Sequence, residues 1–574
     1  MPRELNEVGV VGLGTMGAGI AEVFARAGLS VTAVDVDDAA VRRGREHVDG
    51  STGRAVSRGR LDPADRDAVL SRIRFTTGMD DLAAAELVVE AVPERRELKT
   101  GVLSALDRIC PPDTILATNT SSLSVTELAV TTGRPGAVIG MHFFNPAPVM
   151  KLVEVVRTVV TEPSVVEDVE ALATRLGKVP VVIGDRAGFV ANALLFGYLN
   201  HAVAMYDSGS AGREDIDTAM RLGCGLPMGP FALLDLIGID TAVEVLDTMY
   251  RQSSDRLHAP SPLLTQLAAA GMLGRKTGRG FYTYAAPHSA EVVPDAQTPA
   301  PGGTAEGARP VRSVGVVGSA GCASGTDRLT AAVEAAGLPV TSVIAFLGEP
   351  APPSGPGDAE LRLRWTGPLE DLAQADLVLV SADARPEGIG AVFAALGELT
   401  RPGTVLVATG RGPVVDLAVA SGRPSDVVGL HVAGPDLRLA EVVSSVVTAP
   451  EAAATVRALC ARLGAHAVAC ADRAGFVVDA LLFPYLNDAV RMIEARYAGA
   501  DDIDAAMTLG CGYPTGPVAL LDEIGLDVAL AAQQRLYAES REPGLAPAPL
   551  LQQLVTAGHL GRRTGRGFRD HPAR

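Results

Sequence analysis

The sequence predicts an α/β fold: a doubly wound, mainly parallel-sheet domain followed by an all-α helical domain, with the pair duplicated in tandem. Three observations predict it. An internal repeat has a period of 287 residues: between 187–240 and 474–527, 35 of 54 ungapped positions are identical. Short apolar runs alternate with helical spacing in the first part of each half. Between residues 187 and 285 the strand-like runs stop.

In the first half, 8–11 is a β-branched run that enters a Gly-rich turn. Residues 16–27 carry helical apolar spacing, and 31–34 is a second strand ending at Asp35. Further strand-like runs fall at 87–92, 115–118, 137–141 and 179–183, with an antiparallel addition near 152–160. Residues 187–206, 214–222 and 230–250 are helical. The stretch 286–310 is rich in Pro, Gly and Ala without period and reads as a linker. The expected division is therefore 1–186, 187–285, linker 286–310, 311–473 and 474–574.

Composition excludes several classes. The 574 residues are 47% hydrophobic and 20% charged, with a net charge of −17. Such a chain buries several cores, and its acidity argues against nucleic-acid or anionic-membrane partners. No apolar run is long enough to span a membrane, and the first residues do not read as a secretory signal. The six cysteines form no C-x-x-C pair, so free thiols in a reducing cytoplasm are expected and no metal is.

Gly12-Leu13-Gly14-Thr15-Met16-Gly17 fits G-x-G-x-x-G between a strand and a helix, and Asp35 ends the next strand. This context predicts a Rossmann-like dinucleotide site. Gly12 permits the tight turn, Gly14 the close approach of the pyrophosphate, and Gly17 close helix packing. A carboxylate at Asp35 suits free ribose hydroxyls and repels a 2′-phosphate, so NAD is favoured over NADP. Polar groups also cluster at 119–122, at His142 through Asn145, and at Glu154. A His and a Glu twelve residues apart can form a proton-abstracting pair. Spacing alone favours a purely structural His.

The motifs GLGTMG, VVEAVPE, TNTSSL, GMHFFNPAPVMKLVEVV, DRAGFVANALL, GYLNHA, EDIDTAM, GLPMGPFALLD and GRKTGRGFY together resemble the 3-hydroxyacyl-CoA dehydrogenase family across the first half. The resemblance implies NAD-dependent oxidation of an (S)-3-hydroxyacyl-CoA, short-chain substrates such as 3-hydroxybutyryl-CoA being expected, to the 3-oxoacyl-CoA. It implies that His142 is the general base, oriented by Glu154, and that Ser121 and Asn192 hold the substrate 3-oxygen. Glu94, Lys99, Ser121, Asn145 and Lys276 match positions lining the cofactor site. Glu94 and Lys99 also read as an exposed helical ion pair, and Lys276 as a solvated loop residue. Only four of the 50 basic residues are Lys, at 99, 151, 178 and 276, which gives each weight. Ser51 and Arg58 lie in a basic helical stretch at 41–61, where the family contacts coenzyme A; a solvated helix is the alternative.

The second half has lost parts of this set. Its loop, 318–323, carries Ala320 and Ala323 in glycine places, and Ile344 stands near the place of Asp35. Gly410 answers Ser121, Asp479 answers Asn192, and Arg563 answers Lys276. A short loop at 348–357 replaces the basic hairpin. His431 and Glu441 persist at a spacing of ten rather than twelve. One working site in the first half is expected, with the second α/β domain degenerate. The family dimerises through its helical domains, so an intramolecular pseudo-dimer is expected here, with further homo-oligomers left open. Oxidation of a free 3-hydroxy acid or sugar acid, or a non-catalytic NAD-binding scaffold, are the alternative functions.

Overall fold

A computed structural model of the chain describes residues 2–299, 306–319, 325–347, 363–381, 388–433 and 436–572. Ala320, Ala323 and the 348–357 loop lie outside the described residues.

The first copy begins with β1 (Glu7–Val11), α1 (Thr15–Arg26), β2 (Ser30–Val34), α2 (Asp38–Ser57), α3 (Pro63–Ser71) and β3 (Ile73–Thr76). It continues with β4 (Leu87–Glu90), α4 (Arg96–Ile109), β5 (Ile115–Thr118), α5 (Val125–Ala129), β6 (Val138–Phe143), β7 (Leu152–Arg157), α6 (Pro163–Arg175) and β8 (Val179–Gly184). The strands form one sheet in the order β3-β2-β1-β4-β5-β6-β7-β8, parallel except where β6 meets β7. Near-continuous apolar strands such as β4 and β6 are buried on both faces, as a sheet covered by helices on both sides requires. Alternate residues feed two cores: Val10, Val89 and Ile139 pack with α1 and α6, whereas Val88, Leu116 and Val156 belong to a core that takes in α4 and α5 and continues into the helical units.

The helical unit holds α7 (Ala191–Asp207), α8 (Arg213–Gly223), α9 (Pro230–Ile237), α10 (Ile239–Ser253) and α11 (Pro262–Ala269). Two expected spans are interrupted. Gly188 and Phe189 adopt positive φ, delaying α7 to Ala191, and Gly238 (φ +106°) breaks α9 from α10. The expected linker is partly structured. β9 (Thr283–Tyr284) pairs with β10 (Val292–Val293), and the buried Arg213 guanidinium donates to both carboxylate oxygens of Asp295 at 2.6 and 2.9 Å. Arg213 also stacks on Tyr282. A loop without apolar period is thus held by one polar anchor that periodicity does not reveal.

The second copy repeats the plan: β11 (Val314–Ser319), α12 (Gly325–Ala335), β12 (Val340–Leu347), β13 (Leu363–Thr366), α13 (Leu369–Ala373), β14 (Leu377–Ser381), α14 (Ile389–Leu399), β15 (Val405–Thr409), α15 (Val414–Ala420), β16 (Val427–Ala433), β17 (Leu439–Ser444), α16 (Pro450–Arg462) and β18 (His466–Ala471). Its helical unit is α17 (Val478–Glu494), α18 (Ala500–Ala505), α19 (Pro517–Ile524), α20 (Leu526–Ser540) and α21 (Pro549–Thr556). The strand order matches the first sheet, but β13 runs antiparallel to β12, whereas β3 is parallel to β2. The sequence joining β12 to β13, 348–362, is much shorter than the 35–72 stretch that joins β2 to β3, and an antiparallel neighbour needs no long crossover.

The two helical units share one apolar core. Tyr198 on α7 meets Tyr485 on α17, ring centroids 6.4 Å apart, and these residues correspond across the repeat. Arg186 lies over the Tyr497 ring, and the Ser210 carbonyl accepts from the Ala471 amide at 2.8 Å. No helix among the described residues is long and apolar enough to cross a membrane.

Asp295→Ala is expected to cost about 2–3 kcal/mol, because a buried guanidinium loses a charged acceptor, and to make residues 286–299 the first site of limited proteolysis. Arg213 holds the Asp295 carboxyl well below its ordinary value. This contribution is therefore full above pH 3.8 and is lost as pH falls below it. A wild-type cleavage pattern in the variant contradicts the anchor.

Candidate functional site

The Gly-rich turn between β1 and α1 sits at the C-terminal edge of the sheet, where the strand order reverses between β1 and β4. The three glycines do different work. Gly12 has φ +92°, and a β-carbon there would meet the Ala91 backbone at 2.9 Å. On Gly17 it would lie 1.7 Å from the Gly12 carbonyl oxygen, so only glycine lets the helix sit so close to the turn. On Gly14 it would meet nothing within 4 Å, since that side opens into the cavity. Gly14 precedes α1, whose first N–H groups are free to receive a pyrophosphate. Asp35 accepts the Leu13 amide at 2.7 Å, which fixes its carboxylate at the rim. A cavity of about 1260 Å³ runs from these residues to His142 and Asn192, with Leu13, Thr15 and Met16 also on its wall. The cradle fits a dinucleotide.

At the other end, the β6–β7 pairing sets His142 directly opposite Glu154 on one sheet face. His142 Nδ1 is 2.7 Å from Glu154 Oε2. An ionised carboxylate only accepts, so Nδ1 carries the proton and Nε2 keeps its lone pair. The fully buried Glu154 also accepts the amides of Val190 and Ala191 at 3.2 and 3.1 Å. One side chain thus orients the imidazole and anchors the start of α7, which brings Asn192 to the cavity. Phe144 and Phe189 flank the imidazole, with centroids at 4.7 and 5.5 Å.

Ser121 lies on the cavity wall and Glu94 holds its loop. Glu94 Oε1 accepts from Thr120 Oγ1 at 2.6 Å and from the Ser121 and Ser122 amides at 2.8 and 3.0 Å. Burial alone would raise the Glu94 carboxyl, but Lys99 and these donors outweigh it and hold it below its ordinary value. Asn145 lines the same cavity.

Four expected residues stand elsewhere. Lys99 is neither on the cavity wall nor exposed. It is 1% accessible, and its Nζ meets Glu90 at 2.9 Å, the Val92 carbonyl at 3.2 Å and Glu94 at 3.3 Å. It supports the wall from beneath. Lys276 is paired to Asp240 at 2.5 Å, away from the cavity. The second copy repeats that pair as Arg563–Asp527. Ser51 and Arg58 are not on the cavity wall; α2 reaches it instead with Ala40, Arg43 and His47. Helical spacing places Ser51 farther out on the same face, and Arg58 caps the end of α2. Asn119, Phe144, Arg43 and His47 lie inside stretches that the sequence singles out but were given no role of their own, and Glu90 was missed. Glu90 takes Thr118 Oγ1 at 2.7 Å, and Asn119 Oδ1 takes the Phe143 amide at 2.8 Å. A carboxylate ending an otherwise apolar strand was the available signal for Glu90.

In the second copy the His–Glu pair is intact despite its altered spacing. His431 and Glu441 are register partners, Nδ1 is 2.5 Å from Oε2, and Glu441 accepts the Val477 and Val478 amides at 2.9 Å. The two missing residues come from the hairpin connection, so the pairing is unchanged. Around the pair the polar set has changed. Asp479 is bound by Arg411 Nε at 2.7 Å, Val380 takes the register place of Glu90, and Ile344 that of Asp35.

Comparison with known proteins agrees with this geometry. The profile "3-hydroxyacyl-CoA dehydrogenase, NAD binding domain" matches residues 7–186 and 357–473. The profile "3-hydroxyacyl-CoA dehydrogenase, C-terminal domain" matches residues 188–284 and 475–571. The second NAD-binding match leaves out β11, α12 and β12, the part that would hold a dinucleotide. The 3-hydroxybutyryl-CoA dehydrogenase of Mycobacterium tuberculosis strain H37Rv is 46% identical over 286 residues, 50% of this chain and 100% of that protein. The mitochondrial hydroxyacyl-coenzyme A dehydrogenase of Homo sapiens is 40% identical over 287 residues, 49% of this chain and 91% of that protein. The crystal structure of 3-hydroxybutyryl-CoA dehydrogenase from Escherichia coli K12 superposes with a TM-score of 0.72 at 28% identity, covering 97% of this chain and 100% of that one.

Two glycine variants separate fold from cradle. Gly17→Ala is expected to lose about 1–3 kcal/mol or more of stability through overpacking. Gly14→Ala is expected to keep the wild-type Tm and to weaken NADH binding, read by fluorescence titration. Equal loss of Tm in both contradicts this assignment. For His431, burial lowers the imidazole pKa, but Glu441 outweighs it and raises the net value. Its stabilisation is full below pH 6.5 and is lost as pH rises through the raised value. His431→Gln is expected to flatten that part of the wild-type Tm–pH profile.

Proposed function

This chain belongs to the 3-hydroxyacyl-CoA dehydrogenase family, and from that premise we propose that its first copy oxidises short (S)-3-hydroxyacyl-CoA thioesters, such as 3-hydroxybutyryl-CoA, to 3-oxoacyl-CoA with NAD at a single site. The observation that carries this reading is the opening of the His142–Glu154 pair into the cavity that the Gly12–Gly17 cradle begins.

The chemistry follows from the geometry. His142 Nε2, unprotonated and facing the cavity, takes the proton of the substrate 3-hydroxyl. Glu154 stabilises the imidazolium that forms and keeps Nδ1–H directed away from substrate. Ser121 and Asn192 hold the 3-oxygen from opposite elements, one on the loop Glu94 fixes and one on the helix Glu154 anchors. The Gly12–Gly17 cradle and Asp35 would hold NAD, which would supply the acceptor for the hydride leaving C3. Asp35 selects a free ribose. The basic face of α2, from Arg43 and His47 outward to Ser51, meets the coenzyme A phosphates, with Arg58 at the helix end.

The helical units form an intramolecular pseudo-dimer, supported by the shared core and by the Tyr198–Tyr485 contact. Covalent linkage replaces an association that depends on concentration. The units divide at 186/187, 285/286, 310/311 and 473/474, with the described part of the linker belonging to the first helical unit. The cytoplasm is the proposed location, where free thiols such as Cys224 and Cys511 stay reduced.

Loss of NADH absorbance with acetoacetyl-CoA tests the reading. His142→Ala is expected to lower kcat by roughly 10²–10⁴-fold, while His431→Ala keeps the wild-type kcat below its own, lower, melting temperature. Similar losses in both variants overturn the single-site claim. No turnover by the wild type redirects the assignment to free 3-hydroxy acids.

A further inference from the structure

The polar parts of the second site have diverged, yet its helical unit remains close to the first in sequence, and one turn of it reaches the working site. The segment Ala506–Gly510 forms a π-helical turn at the end of α18. Gly510 packs on the first copy's α/β unit. A β-carbon on Gly510 would lie 2.8 Å from Leu152 Cδ2, 3.1 Å from Phe144 Cε1 and 3.3 Å from Phe144 Cζ. Phe144 lines the cavity, and its ring centroid is 4.7 Å from that of His142. A single aromatic ring therefore stands between the general base and a glycine of the other copy.

The repeat supplies its own comparison. Gly223 corresponds to Gly510 and packs on the second α/β unit. A β-carbon on Gly223 would lie 2.9 Å from Leu439 Cδ2, 3.0 Å from Val478 Cγ2 and 3.5 Å from the Ala433 β-carbon. Leu439 corresponds to Leu152, and Ala433 to Phe144. The glycine and the leucine are kept on both sides of the pseudo-dimer, but the ring is present only beside the working pair. A purely structural contact needs no such difference, whereas a contact that seats the catalytic imidazole does.

We propose that Gly510 of the second copy is a positioning residue for the first copy's site, seating Phe144 against His142, so that the degenerate half supplies part of the working site's wall. This rests on the single-site reading above. The glycine acts by leaving room: its bare α-carbon lets the Phe144 edge approach, and the ring then limits the tilt of the imidazole and closes the cavity beside it.

The test compares Gly510→Ala with Gly223→Ala in the full chain. Both insert a methyl group into an equally tight contact, so comparable drops in Tm are expected. Only Gly510→Ala is expected to lower kcat for acetoacetyl-CoA, by roughly 10–100-fold for a sub-ångström displacement of the base, with NADH affinity unchanged. Equal kcat in the two variants, or equal loss, overturns the proposal. If Gly510→Ala does not fold, the double variant Gly510→Ala/Phe144→Leu removes the ring carbons that the methyl meets. The proposal then expects the double variant to match Phe144→Leu alone in kcat, and a further loss overturns it. His142→Ala in the same series keeps the two claims apart. Full activity there sinks the single-site reading, whereas an inactive His142→Ala beside an unaffected Gly510→Ala sinks only the positioning role.

Discussion

The buried carboxylate of Glu154 is the constraint on which the working site depends. A charge wholly removed from water persists only if its acceptor sites are filled. Here His142 fills one oxygen and the Val190 and Ala191 amides the other. Each partner serves a different part of the chemistry. The histidine becomes a base of defined tautomer, and the amides fix the start of the helix that carries Asn192. The antiparallel β6–β7 pairing, an exception in a mostly parallel sheet, is what sets the two residues opposite each other. Proton transfer and substrate orientation therefore share one anchor.

The duplication separates the structural from the chemical share of that anchor. The second copy keeps the pair and both amide bonds, although the residues around it have changed to Arg411, Asp479, Val380 and Ile344. Losing the histidine there would strand a buried carboxylate at the junction of sheet and helices. The pair persists because the fold needs it. The groups assigned above to chemistry alone have drifted: the carboxylate of Asp35, the serine loop and the buried Glu90 of its support. Drift is least in the helical units, which bury each other's apolar faces.

Local sequence made the cradle legible, because each glycine answers a steric demand within a few residues of itself. It made the catalytic pair legible only as one of two readings, since spacing does not reveal register. For the same reason the shortened spacing of His431 and Glu441 misled: the deletion lies in the connection and leaves the ladder intact. Lys99 escaped because burial depends on what covers a helix, and a charged side chain four residues into α4 reads as exposed. Lys276 was assigned by likeness, and its Asp240 partner lies in a distant helix. Ser51 shares a face of α2 with Arg43 and His47, and Arg58 follows the end of that helix, but the depth of the cavity along the helix is a tertiary property.

The central claim is that one architecture carries two carboxylate anchors and only one active site. Glu154→Gln and Glu441→Gln, measured side by side for Tm and for kcat/KM with acetoacetyl-CoA, test it most directly. A glutamine can keep the amide bonds, but it presents an N–H to Nδ1 and so favours the tautomer whose Nε2 is already protonated. The account predicts comparable loss of stability in both variants and loss of turnover in Glu154→Gln alone. Equal loss of turnover in Glu441→Gln, or full turnover in Glu154→Gln, contradicts it.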